Sequence, residues 1–217
     1  MNNNNDIIMR PGLSLYSNPQ QMRSHYIRLI SHLKDLEMEY VEIEGNELPK
    51  ELQALNPTGR LPFITDRDLV LYDERVISEY MDERFPHPAL MPIEANLRAK
   101  IRLFFWELEK HWYEPAEEQL EQPKVTAAKR KKLHKQLHDN IIAMVPFFKN
   151  TEHLVVPELN LLDCFVLPLL WRLGALEIEL PKSASPLFRY MDYHFSKDYF
   201  IKSLSKYEEE LPRHVVV

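Results

Sequence analysis

Few side chains in this 217-residue chain stand where types and spacing suggest chemistry, and most carry a plainer reading. His134 and His138 lie at i and i+4, the spacing that lets two imidazoles on one helix face clasp a metal. The adjacent run Lys129-Arg130-Lys131-Lys132 repels a cation, so the pair reads better as a solvated helix face. Cys164 is the single cysteine. A catalytic thiol needs an electropositive setting that lowers its pKa. With Phe165, Val166 and Leu167 following it, Cys164 reads as a small core residue instead. Four glycines, none in a phosphate-loop spacing, give no nucleotide cradle. Pro86-His87-Pro88 holds an imidazole between two stiff residues. Such stiffness presents a side chain to a partner at low ordering cost, and it equally suits a rigid interdomain connector. No residue set is assigned a catalytic or metal-ligating role, and no cofactor is expected.

Composition bounds the partners. The hydrophobic share of 45% and charged share of 28% are those of an ordinary globular chain. A net charge of −6 gives no general attraction to nucleic acid or to an anionic membrane, so direct sequence-specific nucleic-acid binding is not expected. One cysteine precludes an internal disulfide and suits a reducing compartment. No apolar run reaches the roughly 20 residues a spanning helix needs. The Asn-rich start lacks the basic and apolar regions of a secretory signal, and residues 1–12 read as a disordered tail on a cytoplasmic protein.

The elements that position these residues fall into two textures. Alternating strands are expected at 13–17 and 39–43, with helices at 21–36 and 47–55. Asn56-Pro57-Thr58-Gly59 is a dense turn signal. Residues 61–65 and 69–72 read as strands of a tight hairpin about Asp66-Arg67-Asp68, with Pro62 pushing the first to an edge or a turn. Asp73 N-caps a helix that Pro86 and Pro88 stop. Beyond it the chain reads as helical only: 96–112, 126–148 broken near Pro146, 160–173 capped by Asn160 with Asp163, 185–195 and 199–204. The expected fold is α+β, a thioredoxin-like domain at 13–88 followed by an all-helical domain at 89–217.

The Asn-Pro turn, the Leu61-Pro62 strand, the hairpin and the acidic helix start resemble the glutathione transferase superfamily. That resemblance implies a cis Leu61-Pro62 bond and a glutathione site built from Gln21, Leu61, Pro62, Asp73 and Glu74. It places Gln21 where an active transferase has a Tyr, Ser or Cys that stabilises the thiolate, the reacting species. It places Asp73-Glu74 where a Glu-Ser pair receives the γ-glutamyl group, so Glu74 sets a carboxylate against a carboxylate. Both positions imply a vestigial site, the alternative being a glutathione-dependent transferase or reductase activated by Ser24.

More specific segments, Tyr80-Met81-Asp82-Glu83-Arg84-Phe85-Pro86-His87-Pro88, Trp112-Tyr113, Asp163-Cys164 and Pro168-Leu169-Leu170-Trp171, resemble the stringent starvation protein A family. That resemblance implies a homodimeric, non-catalytic regulator that binds RNA polymerase holoenzyme with its housekeeping sigma factor during starvation or stress. The partner surface it implies is a pocket at Pro86, His87 and Pro88; Trp112 and Tyr113, at the end of the first long helix, are read as neighbours that give this patch an aromatic wall.

Overall fold

The structure, a computed structural model, describes residues 12–45, 47–121, 125–149 and 151–213. The tail expected at 1–12 lies, but for Gly12, outside the described residues.

Four strands form one sheet: β1 (Leu13–Ser17), β2 (Glu39–Glu42), β3 (Phe63–Asp66) and β4 (Leu69–Tyr72), in the order β2-β1-β3-β4. β1 runs parallel to β2, which requires a crossover, and α1 (Met22–Leu33) supplies it. β3 is antiparallel to both β1 and β4. Every residue of β1 is buried, as a strand with neighbours on both sides and layers on both faces must be. The one-turn helix α2 (Lys50–Gln53) leads to the Asn56 turn, where Gly59 sits at φ 67° and donates its amide to the Asn56 carbonyl at 3.1 Å. Leu61-Pro62 is cis.

Two details differ from the sequence reading. Asp66 pairs with Leu69, so the hairpin closes through Arg67 and Asp68 alone, with Arg67 taking the positive φ of 57° that a tight turn demands. β3 starts at Phe63 and has partners on both sides. Pro62 therefore stands just outside an interior strand, where its missing N–H removes nothing from the ladder.

α3 (Glu74–Arg84) opens on Asp73, whose carboxylate accepts from the amides of Arg75 and Val76 at 3.0 and 3.2 Å. No strand follows Tyr72 among the described residues. The helix expected at 96–112 is longer and interrupted. α4 (Ala95–Leu108) passes through a π turn at Glu109–Tyr113 into α5 (Glu114–Glu121). The cause is Pro115, which has no N–H for the carbonyl four residues back. That carbonyl, on His111, instead accepts from Asn140 Nδ2 at 3.2 Å, while the Glu114 amide reaches back five residues to Glu109.

α6 (Ala127–Met144) is capped by Thr126 and passes into a single 3-10 turn at Val145–Phe148. α7 (Leu161–Trp171) is buried along its whole length, the position of a central helix. Asn160 Oδ1 accepts from the Leu162 amide, and Asp163 Oδ2 from the Asn160 amide, both at 3.0 Å. α8 (Ser185–Phe195), α9 (Asp198–Ser203) and α10 (Lys206–Glu209) complete the fold. One core cluster joins Leu15, Ile30 and Ile77 to Phe105, Phe165 and Leu187, so the sheet side and the helical side share a single interior. A smaller cluster of Tyr16, Ile43, Leu48 and Phe63 covers the other sheet face. No helix among the described residues is long and apolar enough to cross a membrane.

Candidate functional site

A cleft of about 650 Å³ opens between the sheet and α4–α5, at the start of α1 and α3. Gln21, Leu61, Pro62, Asp73 and Glu74 all line it, so residues 53 positions apart in sequence meet in one place. Asp73 holds φ at 101°, a conformation that side-chain-bearing residues rarely adopt and that costs about 1–3 kcal/mol. Gln21 caps α1 through its backbone position alone, and its Oε1 is buried without a partner. Its amide can hydrogen-bond, but it offers no acid and no exchangeable charge to a thiol.

The residue that governs the cleft is Arg23, which the sequence reading passed over. Its guanidinium has five N–H groups, and each finds a carboxylate oxygen. Nε and Nη2 donate to the two oxygens of Glu117 at 2.6 and 2.9 Å. Nη2 and Nη1 donate to the two oxygens of Glu109 at 2.5 and 3.3 Å, and Nη1 also donates to Glu74. The guanidinium carbon sits 5.6 Å from the centre of the Tyr113 ring. The π turn makes this possible. Over eight residues an α-helix misses full alignment by about 80°, and absorbing one extra residue cuts that to about 20°. Glu109 and Glu117 thereby share the face that meets Arg23.

The electrostatics follow. Burial opposes the charge on Arg23, but the bonds and fields of Glu117, Glu74 and Glu109 outweigh it and raise its pKa. Burial raises the Glu74 carboxyl above its ordinary value against the pull of Arg23, and it does the same to Glu117. The carboxylate at position 74, which sequence alone would leave bare, is thus held by a cation inside the fold. A ligand carboxylate entering here meets four acidic residues, Asp73, Glu74, Glu109 and Glu117, and Arg23 has every donor engaged, which leaves Arg60 and Arg75 as the other cations of the lining.

The other chemical candidates are occupied. Ser24 is fully buried, and its Oγ accepts from the Asn18 amide at 3.0 Å, so it turns away from the cleft. Cys164 is fully buried in α7, and burial pushes its thiol well above the ordinary value. His134 and His138 do not converge: one meets the Glu177 carbonyl at 3.0 Å and the other Asp139 at 3.1 Å. A cluster the sequence reading missed, His153, Asp163 and His194, has ligand atoms within 4.8 Å of one another. Asp163 already accepts from Leu154, Asn160 and Tyr190, and both ring nitrogens of His194 are engaged, with Tyr199 and Glu152. Asp163 serves the cap of α7 and His194 has no free ring nitrogen, so the buried, unpartnered Nδ1 of His153 and the remaining lone pairs of Asp163 fall short of the four ligands a structural metal site takes.

Pro86, His87, Pro88 and Ala89 are all exposed, in the stretch between α3 and α4. The aromatic wall expected beside them is elsewhere. Trp112 and Tyr113 are each 1% exposed, and Tyr113 stacks on Phe165 with ring centres 4.0 Å apart. Its hydroxyl donates to the Phe165 carbonyl at 2.5 Å. Large aromatics on a helix face turned to the core bury once their polar atom is satisfied, so both leave the surface set.

The sheet order, the cis proline before β3 and the helical second half are those of the glutathione transferase fold. Residues 23–89 match the glutathione S-transferase N-terminal domain family. The structure of a glutathione transferase from Methylococcus capsulatus superposes with a TM-score of 0.80 at 17% identity, over 91% of this chain and 98% of that one. Within that fold, the chain belongs to the stringent starvation protein A family. It is 36% identical to the stringent starvation protein A homolog of Haemophilus influenzae over 201 residues, covering 91% of this chain and 92% of that protein. It is 35% identical to the Coxiella burnetii homolog over 207 residues, covering 94% and 97%.

Proposed function

We propose that this protein is a non-catalytic transcription regulator that docks on RNA polymerase holoenzyme with its housekeeping sigma factor, in the cytoplasm, under starvation or stress. The observation that carries the reading is the Arg23 cluster. The cleft that a glutathione transferase uses is filled at its floor by a saturated guanidinium and three carboxylates, and Gln21 offers no thiol-activating group. The enzyme alternative needs Ser24, whose hydroxyl is buried and bonded to the β1–α1 loop. Docking falls to Pro86, His87 and Pro88, exposed in the connector between a thioredoxin-like unit at 13–88 and a helical unit at 89–217.

A homodimer goes with this reading. α3 and α4 carry Val76, Leu103 and Trp106, each more than half exposed. A two-fold axis near these residues would bury them against their own copies. Light scattering is expected to give twice the 25.9 kDa chain mass at micromolar concentration, with Trp106→Glu returning the monomer. A wild-type monomer removes the dimer from the account.

Two measurements test the function. Tagged protein should retain polymerase subunits and sigma factor from purified holoenzyme. Calorimetric titration with millimolar glutathione should give no saturable heat. A micromolar glutathione affinity with turnover of an electrophile would reverse the assignment.

A further inference from the structure

The two prolines that stiffen the segment carrying His87 also deprive its turn of a closing hydrogen bond. A tight turn from Phe85 to Pro88 would close by an amide at position 88 donating to the Phe85 carbonyl. Proline has no such amide, and Pro86 removes another. Something else must hold the two ends.

Lys34, at the C-terminus of α1, does so. Its ammonium is buried, with the side chain 0% exposed, and each of its three donors has a partner. Nζ donates to the Phe85 carbonyl at 2.8 Å, to the Pro88 carbonyl at 2.6 Å and to Asp82 Oδ1 at 2.8 Å. Asp82, in the last turn of α3, continues the grip. Its Oδ1 accepts from the Leu90 amide at 2.7 Å and its Oδ2 from the Met91 amide at 3.0 Å. The Leu90 carbonyl in turn accepts from the Leu161 amide at 3.0 Å, at the start of α7. The backbone is thus held at 85, 88, 90 and 91, while the side chains of Pro86, His87, Pro88 and Ala89 stand in solvent.

We infer that Lys34 and Asp82 are positioning residues for the docking surface, fixing the pose in which His87 meets its protein partner; this rests on the docking reading above. A buried ion pair is a poor way to gain stability, since well-packed apolar residues commonly do as well or better. What an ion pair does that an apolar pair cannot is fix two carbonyls and two amides at set points. Those four groups bracket His87. Preorganisation of this kind lowers the ordering cost of binding, so its loss appears in affinity.

The test compares Lys34→Met, the double variant Lys34→Met/Asp82→Asn and His87→Ala with wild type. The double variant matters because the single one leaves Asp82 buried without its cation. Each is assayed for affinity to purified polymerase holoenzyme and for amide hydrogen exchange. In the lysine variants the Leu90 and Met91 amides should exchange faster while α7 amides keep their protection. Polymerase affinity should fall at least ten-fold, as it should for His87→Ala. Wild-type affinity in folded lysine variants, with His87→Ala impaired, overturns the positioning role and leaves docking standing. Protection lost equally in α7 shows a general structural role and also overturns it. Wild-type affinity in His87→Ala overturns the docking reading, and the inference with it.

Discussion

Arg23 decides what the cleft can do. Its partners lie 51, 86 and 94 residues away in the chain, so local sequence spacing gave no sign of them. Gln21 and Glu74 were placed through the glutathione transferase resemblance, whose spacing puts both at helix starts. Glu109 and Glu117 could not be placed, since their alignment depends on a π turn that arises from Pro115. Trp112 and Tyr113 were misplaced on the surface, although Trp112 continues the buried spacing of Ile101, Phe105 and Leu108. Removing the guanidinium by Arg23→Met leaves three carboxylates together in a half-closed site. With Arg23 about one-fifth exposed, the expected loss is about 2–3 kcal/mol at pH 7, below that of a fully buried pair. Glu74 and Glu117 are raised already, and without Arg23 they rise further. A raised carboxyl contributes stability below its unfolded pKa and loses it as pH climbs through the folded value. The deficit should therefore shrink between pH 7 and pH 4.5 in urea melts. A deficit that grows on acidification would show that the carboxylates were not the cause.

At the scale of elements, periodicity and capping chemistry made most of the fold readable. Alternation marked the first two strands, and Asp73 and Asn160 marked helix starts that the structure contains. α5 and α10 were not foreseen. The first continues a helix past a proline that usually stops one. The second is a single turn with no period to detect, although Ser205 and Glu208 carry the capping-box spacing that signals it. Asn160 was expected to be a plain cap worth about 1 kcal/mol. The structure gives it more to do. Besides accepting from Leu162, its Nδ2 donates to the Leu154 and Glu158 carbonyls at 2.8 and 3.1 Å, in a site only 1% exposed. Asn160→Ala should cost about 2–3 kcal/mol, the cap plus the buried Leu154 carbonyl and the part-buried Glu158 carbonyl left unpaired. Asn160→Ser should recover only the cap share. Equal losses in the two variants would mean the carbonyl bonds contribute nothing.

The whole molecule is closed by its C-terminal segment. Glu208 of α10 is fully buried and accepts from Arg28 of α1 at 2.7 Å and from Arg172, just past α7, at 2.5 Å. The indole of Trp171 donates to its backbone carbonyl at 2.8 Å. Burial would raise the Glu208 carboxyl, but His25, Arg28 and Arg172 hold it at about 2. Burial in the same network lowers His25 to about 3. Both shifts act in one direction. A depressed carboxyl contributes stability above its unfolded value near 4.5 and loses it as pH falls toward 2. A histidine kept neutral loses stability below 6.5, where the unfolded chain takes up the proton first. Glu208→Gln should cost about 3–5 kcal/mol at pH 7, the penalty for stranding buried arginines. That gap to wild type should narrow as pH falls from 4.5 toward 3. A gap constant across that range would place the cost in packing and not in charge.

In the proposed function this transferase fold acts through its exposed connector and not through its cleft. The direct measurement is the affinity of purified RNA polymerase holoenzyme for wild type and for Pro86→Ala/His87→Ala/Pro88→Ala, with thermal midpoints taken on the same samples. Truncating a central anchor costs about 2 kcal/mol or more, roughly a thirty-fold loss. Docking through the connector predicts tight binding by wild type, at least that loss in the triple variant, and a midpoint moved by only a few degrees. Equal affinity of the two proteins for the polymerase would contradict it.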